Sequence, residues 1–381
     1  MKYIPRVLEK QIKKFLKAFC VTGLTGPRQS GKSTMLKQLL KDEYTYVSFD
    51  DYRIFDFFYA DPQKFMSIYN NKIIFDEVQK APEIFNYIKL AVDQDRQNYG
   101  KFIITGSSQF SFLKCITESL AGRIGLLSLL PFQFSEIPSS QQEASIYKGS
   151  YPELVCRNYE YSNEWYSAYL ETYLDKDVKL IYNIGDLKDF RRFISLLAAK
   201  TSNILNMARF SNDLGVSVPT IKRWLSILEA SYIIFFLSPY FNNHGKRIIK
   251  SPKVYFYDTG LVAYLTSIQT KELYEKGPLA GPLFENYIIS ELMKKNLHNK
   301  LNHNFYYLRT SNGREIDLIE ENHGIKNWIE IKTTSTFKSS MVKPIEEFIS
   351  KNEQGYLLYQ GEDFPYTKDL KILNYQNFLK K

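Results

Sequence analysis

The stretch "GPRQSGKST", Gly26 to Thr34, constrains the fold more than any other part of this chain. It satisfies G-x-x-x-x-G-K-[ST]. The apolar run "AFCVTGLT" precedes it and reads as a strand, and "STMLKQLL" follows with helical spacing. That strand–loop–helix context is what a phosphate-binding loop requires. Its glycines let backbone N–H groups curl around a phosphate, and the new helix N-terminus adds partial positive charge. The whole loop, Gly26, Pro27, Arg28, Gln29, Ser30, Gly31, Lys32, Ser33 and Thr34, is therefore expected to bind a nucleotide. Lys32 is expected to reach the β/γ-phosphates and the Ser33 hydroxyl to ligate Mg²⁺.

Three further pieces follow in order. In "NKIIFDEVQKAP" a buried-strand run ends in Asp76-Glu77. Asp76 is the candidate Mg²⁺ holder, and Glu77 the candidate for polarising an attacking water. In "KFIITGSSQFS" another strand ends in Thr105-Gly106-Ser107-Ser108. A polar residue there, with Ser107 the named candidate, would lie between the two acidic and glycine-rich motifs and sense the γ-phosphate; a plain Gly/Ser turn is the alternative. In "ESLAGRIGLLSLLPFQF" Arg123 precedes a further strand. It is a candidate for reaching a neighbouring copy's nucleotide, with an ordinary surface arginine the equal alternative. Strands and helices alternate throughout, which predicts a parallel α/β sheet with ligand loops at its C-terminal edge.

The pieces "GPRQSGKST", "IIFDEVQKAP", "FIITGSS", "SLAGR" and "LPFQFSE", in that order, resemble a large prokaryotic family of AAA+-type P-loop ATPases. The resemblance continues through "GSYPEL", "YLETYLDKDV" and the last third, and so covers nearly the whole chain. It implies an ATPase core, a winged-helix-like segment and a C-terminal restriction-endonuclease-like domain. It also implies ATP rather than GTP as the nucleotide. The expected fold class is thus α/β: a P-loop NTPase parallel sheet, then a helical and winged-helix domain, then an α+β nuclease-like domain. The expected boundaries are 1–140, 141–275 and 276–381.

The middle third reads as helices over 160–200, followed by a helix–turn–helix in "MARFSNDLGVSVPTIKRWLSILEASYII". Ser217 is placed to cap the second helix, with Pro219 tolerated in its first turn. "YIIFFLSPY" and "SPKVYFYD" supply two wing strands, joined by the basic "NNHGKRIIK". Lys222 and Arg223 lie on the second helix. DNA binding is one reading; a protein-contact module with a few solvated lysines is the other.

The last third contains "GPLFENYIISELMKK", then "FYYLRT", "SNGREIDLIEE" and "IKNWIEIKTT", then a short helix. The order α-β-β-β-α with Glu285, Asp317, Glu330 and Lys332 matches the core of PD-(D/E)XK nucleases. Glu330 and Lys332 share one face of a strand. Asp317 and Glu330 are expected to share a divalent metal, with Glu285 in support from the helix. Lys332 is expected to orient the attacking water. Such folds also serve as binding modules, and the tetrad alone leaves cleavage and a regulatory role both open.

Composition narrows the rest. Net charge is +9, but no segment forms a basic arm. No apolar run approaches the length of a membrane span, and the basic N-terminus lacks a continuous apolar core, so neither a membrane partner nor a signal peptide is expected. Cys20, Cys115 and Cys156 are too scattered for a disulfide or metal framework, consistent with the cytoplasm. The reading is an ATP- and Mg²⁺-dependent ATPase switch controlling a nuclease-like effector. Its rivals are a DNA-binding ATPase/nuclease and a non-catalytic ATP-binding regulator that recruits a protein. The expected partners are ATP, DNA through the last two domains, and further copies of the chain.

Overall fold

The computed structural model describes residues 3–106, 109–173, 187–240 and 251–380. It divides into two compact units. One runs to Phe132 and takes in Ala230–Tyr232 and Leu297–Lys300; the other comprises Gln133–Glu229, Ile233–Asn296 and the chain from Leu301 onward.

The first unit is built on five parallel strands: β1 Val21–Thr25, β2 Thr45–Ser48, β3 Ile73–Asp76, β4 Phe102–Thr105 and β5 Ile124–Ser128. Their order across the sheet is β2-β3-β4-β1-β5. The strands are short and apolar because both faces are covered. Ile73, Phe75, Phe102 and Ile104 join one core with Phe85 and Ile88 of the helix Ile84–Gln94. The alternate residues Ile74 and Ile103 join the other core, with Leu24, Leu127, Met35 and Leu36. This period-two split fixes the register: a slip of one residue would exchange the two cores. Each such buried side chain stabilises the fold by roughly 1.5–3 kcal/mol. Since all five strands run the same way, the loops after β1, β3 and β4 emerge at one edge of the sheet.

The second unit begins with short helices and the segment Ser162–Tyr173, followed by Leu187–Ala198. A helix pair, Met207–Leu214 and Val218–Ala230, comes next, with Gly215 at positive φ closing the first. Ser217 Oγ accepts from Thr220 N at 3.3 Å, capping the second helix as its sequence implies. The expected wing turn, 241–250, and part of the expected connector, 174–186, lie outside the described residues.

A seven-stranded mixed sheet follows, adding β6 Ile234–Pro239, β7 Lys253–Phe256, β8 Asn304–Arg309, β9 Glu315–Asn322, β10 Ile325–Ile331, β11 Gln354–Tyr359 and β12 Leu370–Asn374. Its order is β12-β11-β10-β9-β8-β6-β7. The two strands read from sequence as a wing do pair with each other, yet β6 also pairs with β8 through Ser238–Tyr306 and Pro239–Tyr307. They are part of the C-terminal sheet. β9 and β10 form a hairpin whose turn residues His323 and Gly324 both have positive φ, as a two-residue turn demands. The helix Lys343–Phe348 covers Ile316, Ile319, Trp328 and Leu357 on one face. The twenty-residue helix Ala280–Asn299 is held to β7 by Asn286, which accepts from Phe256 N and donates to Phe256 O. One side chain thereby pairs both backbone groups of Phe256 and fixes Glu285 beside the strand.

Candidate functional site

The nucleotide loop leaves β1 at Gly26, whose φ of 141° and contact with Leu129 O leave no room for a Cβ. Gly31 then opens the helix Lys32–Leu40. Lys32 is 6% exposed, and its ammonium donates to Gly26 O and Pro27 O, both at 2.9 Å. It closes the loop on itself. Ser30 is buried with an unpartnered hydroxyl. Arg28 is half-buried, and Gln29 and Thr34 are exposed at the loop rim.

Asp76, at the end of β3, is buried and accepts three hydroxyls. Ser33 Oγ donates to it at 3.0 Å, and Tyr46 and Thr105 do so at shorter distance. The glycine-loop serine and the strand-end aspartate are thus already joined. Thr105 comes from β4, which separates β1 from β3. A sensing residue between the two motifs was expected here; the named candidate, Ser107, lies outside the described residues. Tyr46 has no counterpart in the sequence reading, because an isolated strand tyrosine carries no signal of where it points. Burial, reinforced by the Asp76 carboxylate, pushes its hydroxyl well above the ordinary range, so it stays a donor. Glu77 has positive φ and accepts from the Gln79 amide. The site fits Mg²⁺: a hydroxyl and a carboxylate, both hard oxygen donors, lie side by side next to the phosphate loop.

Arg6 was also missed. It is 5% exposed, donates to Ser30 O at 2.8 Å and Leu130 O at 2.7 Å, and lies over the Phe132 ring. It therefore grips the phosphate loop from behind. Arg123 stands elsewhere. It immediately precedes β5, at the sheet edge opposite the loop, and makes a two-pronged pair with Asp93 at 2.8 and 3.0 Å.

The second cluster lies wholly in the second unit. Asp317 on β9 accepts from Ile331 N at 2.8 Å, so the Ile331 amide rather than its carbonyl faces the acid. Lys332 donates to Glu330 at 2.5 Å and lies 3.6 Å from Asp317. Glu330 Oε2 is buried without a partner. Burial, then the Asp317 carboxylate, pushes Glu330 up to about 8, although Lys332 pulls the other way. Glu285 is pushed up to about 7 by burial, with Lys253 opposing and Asp317 adding to the rise. Lys253 is the residue sequence reading missed. It donates to Glu285 at 3.0 Å and to Glu315 at 2.6 Å, and Tyr255 also donates to Glu285 at 2.6 Å. Among the described residues no three His, Cys, Asp or Glu side chains gather into a metal-holding group. The two lysines stand between the acids.

Comparison with known proteins gives the context. Residues 19–138 match the family model described as an AAA domain; 139–272 and 280–378 each match a domain of unknown function, DUF8612 and DUF4143. The uncharacterized protein Rv2008c of Mycobacterium tuberculosis is 32% identical over 315 residues, covering 82% of this chain and 70% of that protein. The uncharacterized protein Mb2031c of Mycobacterium bovis matches to the same extent. This chain belongs to their family. Its AAA domain is the ATP-binding module of an ATPase. Among solved structures, the Walker-type ATPase paby2304 of Pyrococcus abyssi is 14% identical, covering 69% of this chain and 99% of that one, with a TM-score of 0.47. No helix among the described residues is long and apolar enough to cross a membrane.

Proposed function

We propose that this protein is a Mg²⁺-dependent ATP-hydrolysing switch, whose nucleotide state governs a nuclease-like effector in the second unit. The observation that carries the ATPase half is the bond from Ser33 to Asp76 beside a phosphate loop closed by Lys32. Ser33 and Asp76 would hold the Mg²⁺, which neutralises phosphate charge when bound. Lys32 would exchange its two carbonyl partners for phosphate oxygens. Except at Pro27, which has none, the loop N–H groups between Gly26 and Ser33 orient the phosphates, with Arg28, Gln29 and Thr34 lining the approach. Thr105 reads the occupancy of Asp76 from the intervening strand. Glu77 accepts a proton from the attacking water once its carboxylate is freed from Gln79.

The effector half rests on the Asp317–Glu330–Lys332 cluster, built on paired strands with one buried carboxylate oxygen unpartnered. Asp317 and Glu330 would hold a divalent cation there, and Lys332 would orient water. Phosphodiester cleavage and nucleic-acid recognition are the two activities this arrangement serves. DNA is favoured as a partner by one surface feature: Lys222 and Arg223 are both exposed on the second helix of the helix–turn–helix pair.

The test is ATP turnover with and without Mg²⁺, with and without duplex DNA, at several salt concentrations. Lys32→Ala is expected to lose nucleotide affinity. Glu77→Gln is expected to retain binding while slowing hydrolysis, because it removes the water-activating charge and leaves the loop intact. Unchanged turnover in both variants would sink the assignment. Turnover indifferent to DNA would favour a protein-directed switch.

A further inference from the structure

The two lysines of the acidic cluster differ in a way their positions in sequence do not reveal. Lys253 has a side chain 3% exposed and is pinned between Glu285 and Glu315, with its ammonium 5.5 Å from the Tyr307 ring centre. Glu315 is held from its other oxygen by Arg309 at 3.2 Å, and Glu285 receives Tyr255 as well. Both carboxylates therefore already have a cation. The Lys332 side chain is 36% exposed and lies between Asp317 and Glu330. It has solvent into which to swing. Glu330 itself is only 5% exposed, and its Oε2 has no partner. A buried carboxylate oxygen left bare is costly unless something else fills the place.

We infer that the cluster takes one divalent cation, at Asp317 and Glu330, and that Glu285 is not its ligand but the anchor of Lys253, whose fixed ammonium stands where a second cation would otherwise bind. The inference rests on reading this cluster as a cation site, and it assigns the two lysines opposite jobs. Lys332 is displaceable: a cation arriving at Glu330 exchanges with its ammonium, which moves outward and remains free to orient water or a phosphate oxygen. Lys253 has no exit. A divalent ion at Glu285 would lie within a few ångströms of a buried positive charge and be repelled by it, with little water between to screen the two. Lys253 is thus a positioning residue that sets the cation number and leaves a permanent positive charge facing the site.

The experiment uses the full chain without nucleotide and counts bound Mn²⁺ by the electron paramagnetic resonance of the free ion. Wild type is expected to hold one Mn²⁺ beyond any retained at Ser33 and Asp76, and Asp317→Asn or Glu330→Gln is expected to weaken binding of that ion by more than about tenfold. Only such ions are counted. Glu285→Gln, which keeps an acceptor for Lys253 and Tyr255, is expected to bind within about threefold of wild type. If Glu285→Gln fails to fold, Lys253→Gln and Lys253→Arg take its place. The first removes the ammonium from Glu285, leaving it Tyr255 as a neutral donor, and is expected to raise the count to two, and the second to leave it at one. Loss of Mn²⁺ in Glu285→Gln equal to that in Asp317→Asn overturns the inference and leaves the cation site standing, as does a count of one in Lys253→Gln. Absence of any Asp317-dependent Mn²⁺ in wild type removes both.

Discussion

Arg6 offers the sharpest test of how the nucleotide loop keeps its shape. Its guanidinium is buried, reaches Ser30 O and Leu130 O with separate nitrogens, and stacks on Phe132. Replacing it by alanine strands two buried carbonyls, at about 1–3 kcal/mol each, and forfeits a cation–π contact of about 0.5–2 kcal/mol. Relief from burying a charge offsets part of this. A net loss of about 2–4 kcal/mol in the first unit is expected. ATP affinity should suffer separately, because the Ser30 carbonyl is no longer anchored. If the freed loop holds its binding geometry about a tenth of the time, the apparent Kd rises about tenfold. Arg6→Lys should fall between, since one ammonium cannot span two carbonyls as a planar fork does. Fluorescent-nucleotide titration and urea unfolding, followed on the same samples, measure the two effects. An Arg6→Ala protein with wild-type Kd and an unchanged unfolding midpoint would refute the idea that this arginine supports the loop.

Other expectations follow from the same geometry. If Arg123 serves a neighbouring copy's nucleotide, turnover per chain should rise with protein concentration, and Arg123→Ala should be slow while binding ATP normally; a concentration-independent rate with full activity leaves it as the partner of Asp93 alone. In EDTA, stability of the second unit should fall as pH rises from about 4.5 towards 8. Glu330 and Glu285 have pKa values raised to about 8 and about 7, so the folded state holds protons that the unfolded chain has released. Glu330→Gln should flatten that slope and gain a few kcal/mol at most above pH 8; urea midpoints across the range decide it, and an equally steep fall in the variant counts against the assignment. Lys222→Ala with Arg223→Ala should weaken duplex binding and lower its salt dependence; identical binding to wild type argues that this helix pair contacts protein instead.

What could be read in advance was whatever the chain encodes locally. The phosphate loop needs a glycine at Gly26 for φ and for the approach of Leu129, so its function is written in adjacent residues. Asp76 follows directly from a run that must be buried on both faces. Ser217 caps its helix because the cap and its recipient are three residues apart. Arg6 and Tyr46 were invisible for the opposite reason. Each acts on a partner 24 or more positions away, and neither sits in a pattern whose period announces a contact. The strands Ile234–Pro239 and Lys253–Phe256 were legible as a pair, yet their membership of the C-terminal sheet depends on a two-residue pairing of β6 with β8. No local preference specifies that junction.

The acidic cluster shows the limit most clearly, because residue types alone do not say which charges neutralise which. Asp317, Glu330 and Lys332 come from one hairpin and its end, and strand alternation puts them on one face. Glu285 arrives from a helix, and the sequence makes it a fourth member of the same set. Its nearest cation is Lys253, a lone lysine in "SPKVYFYD", a stretch whose sequence reads only as a wing strand. Asn286 decides where that lysine ends up: by pairing both backbone groups of Phe256 it holds the helix to β7, with Glu285 beside the strand and Lys253 buried against it. The ammonium then has to be paired, and Glu285 and Glu315 pair it. On the proposed reading, Glu285, Glu315, Asp317 and Glu330 would amount to one cation site or two according to the hydrogen bonds made by a neighbouring amide. Counting the bound ions therefore measures the helix–strand junction as directly as it measures the acids.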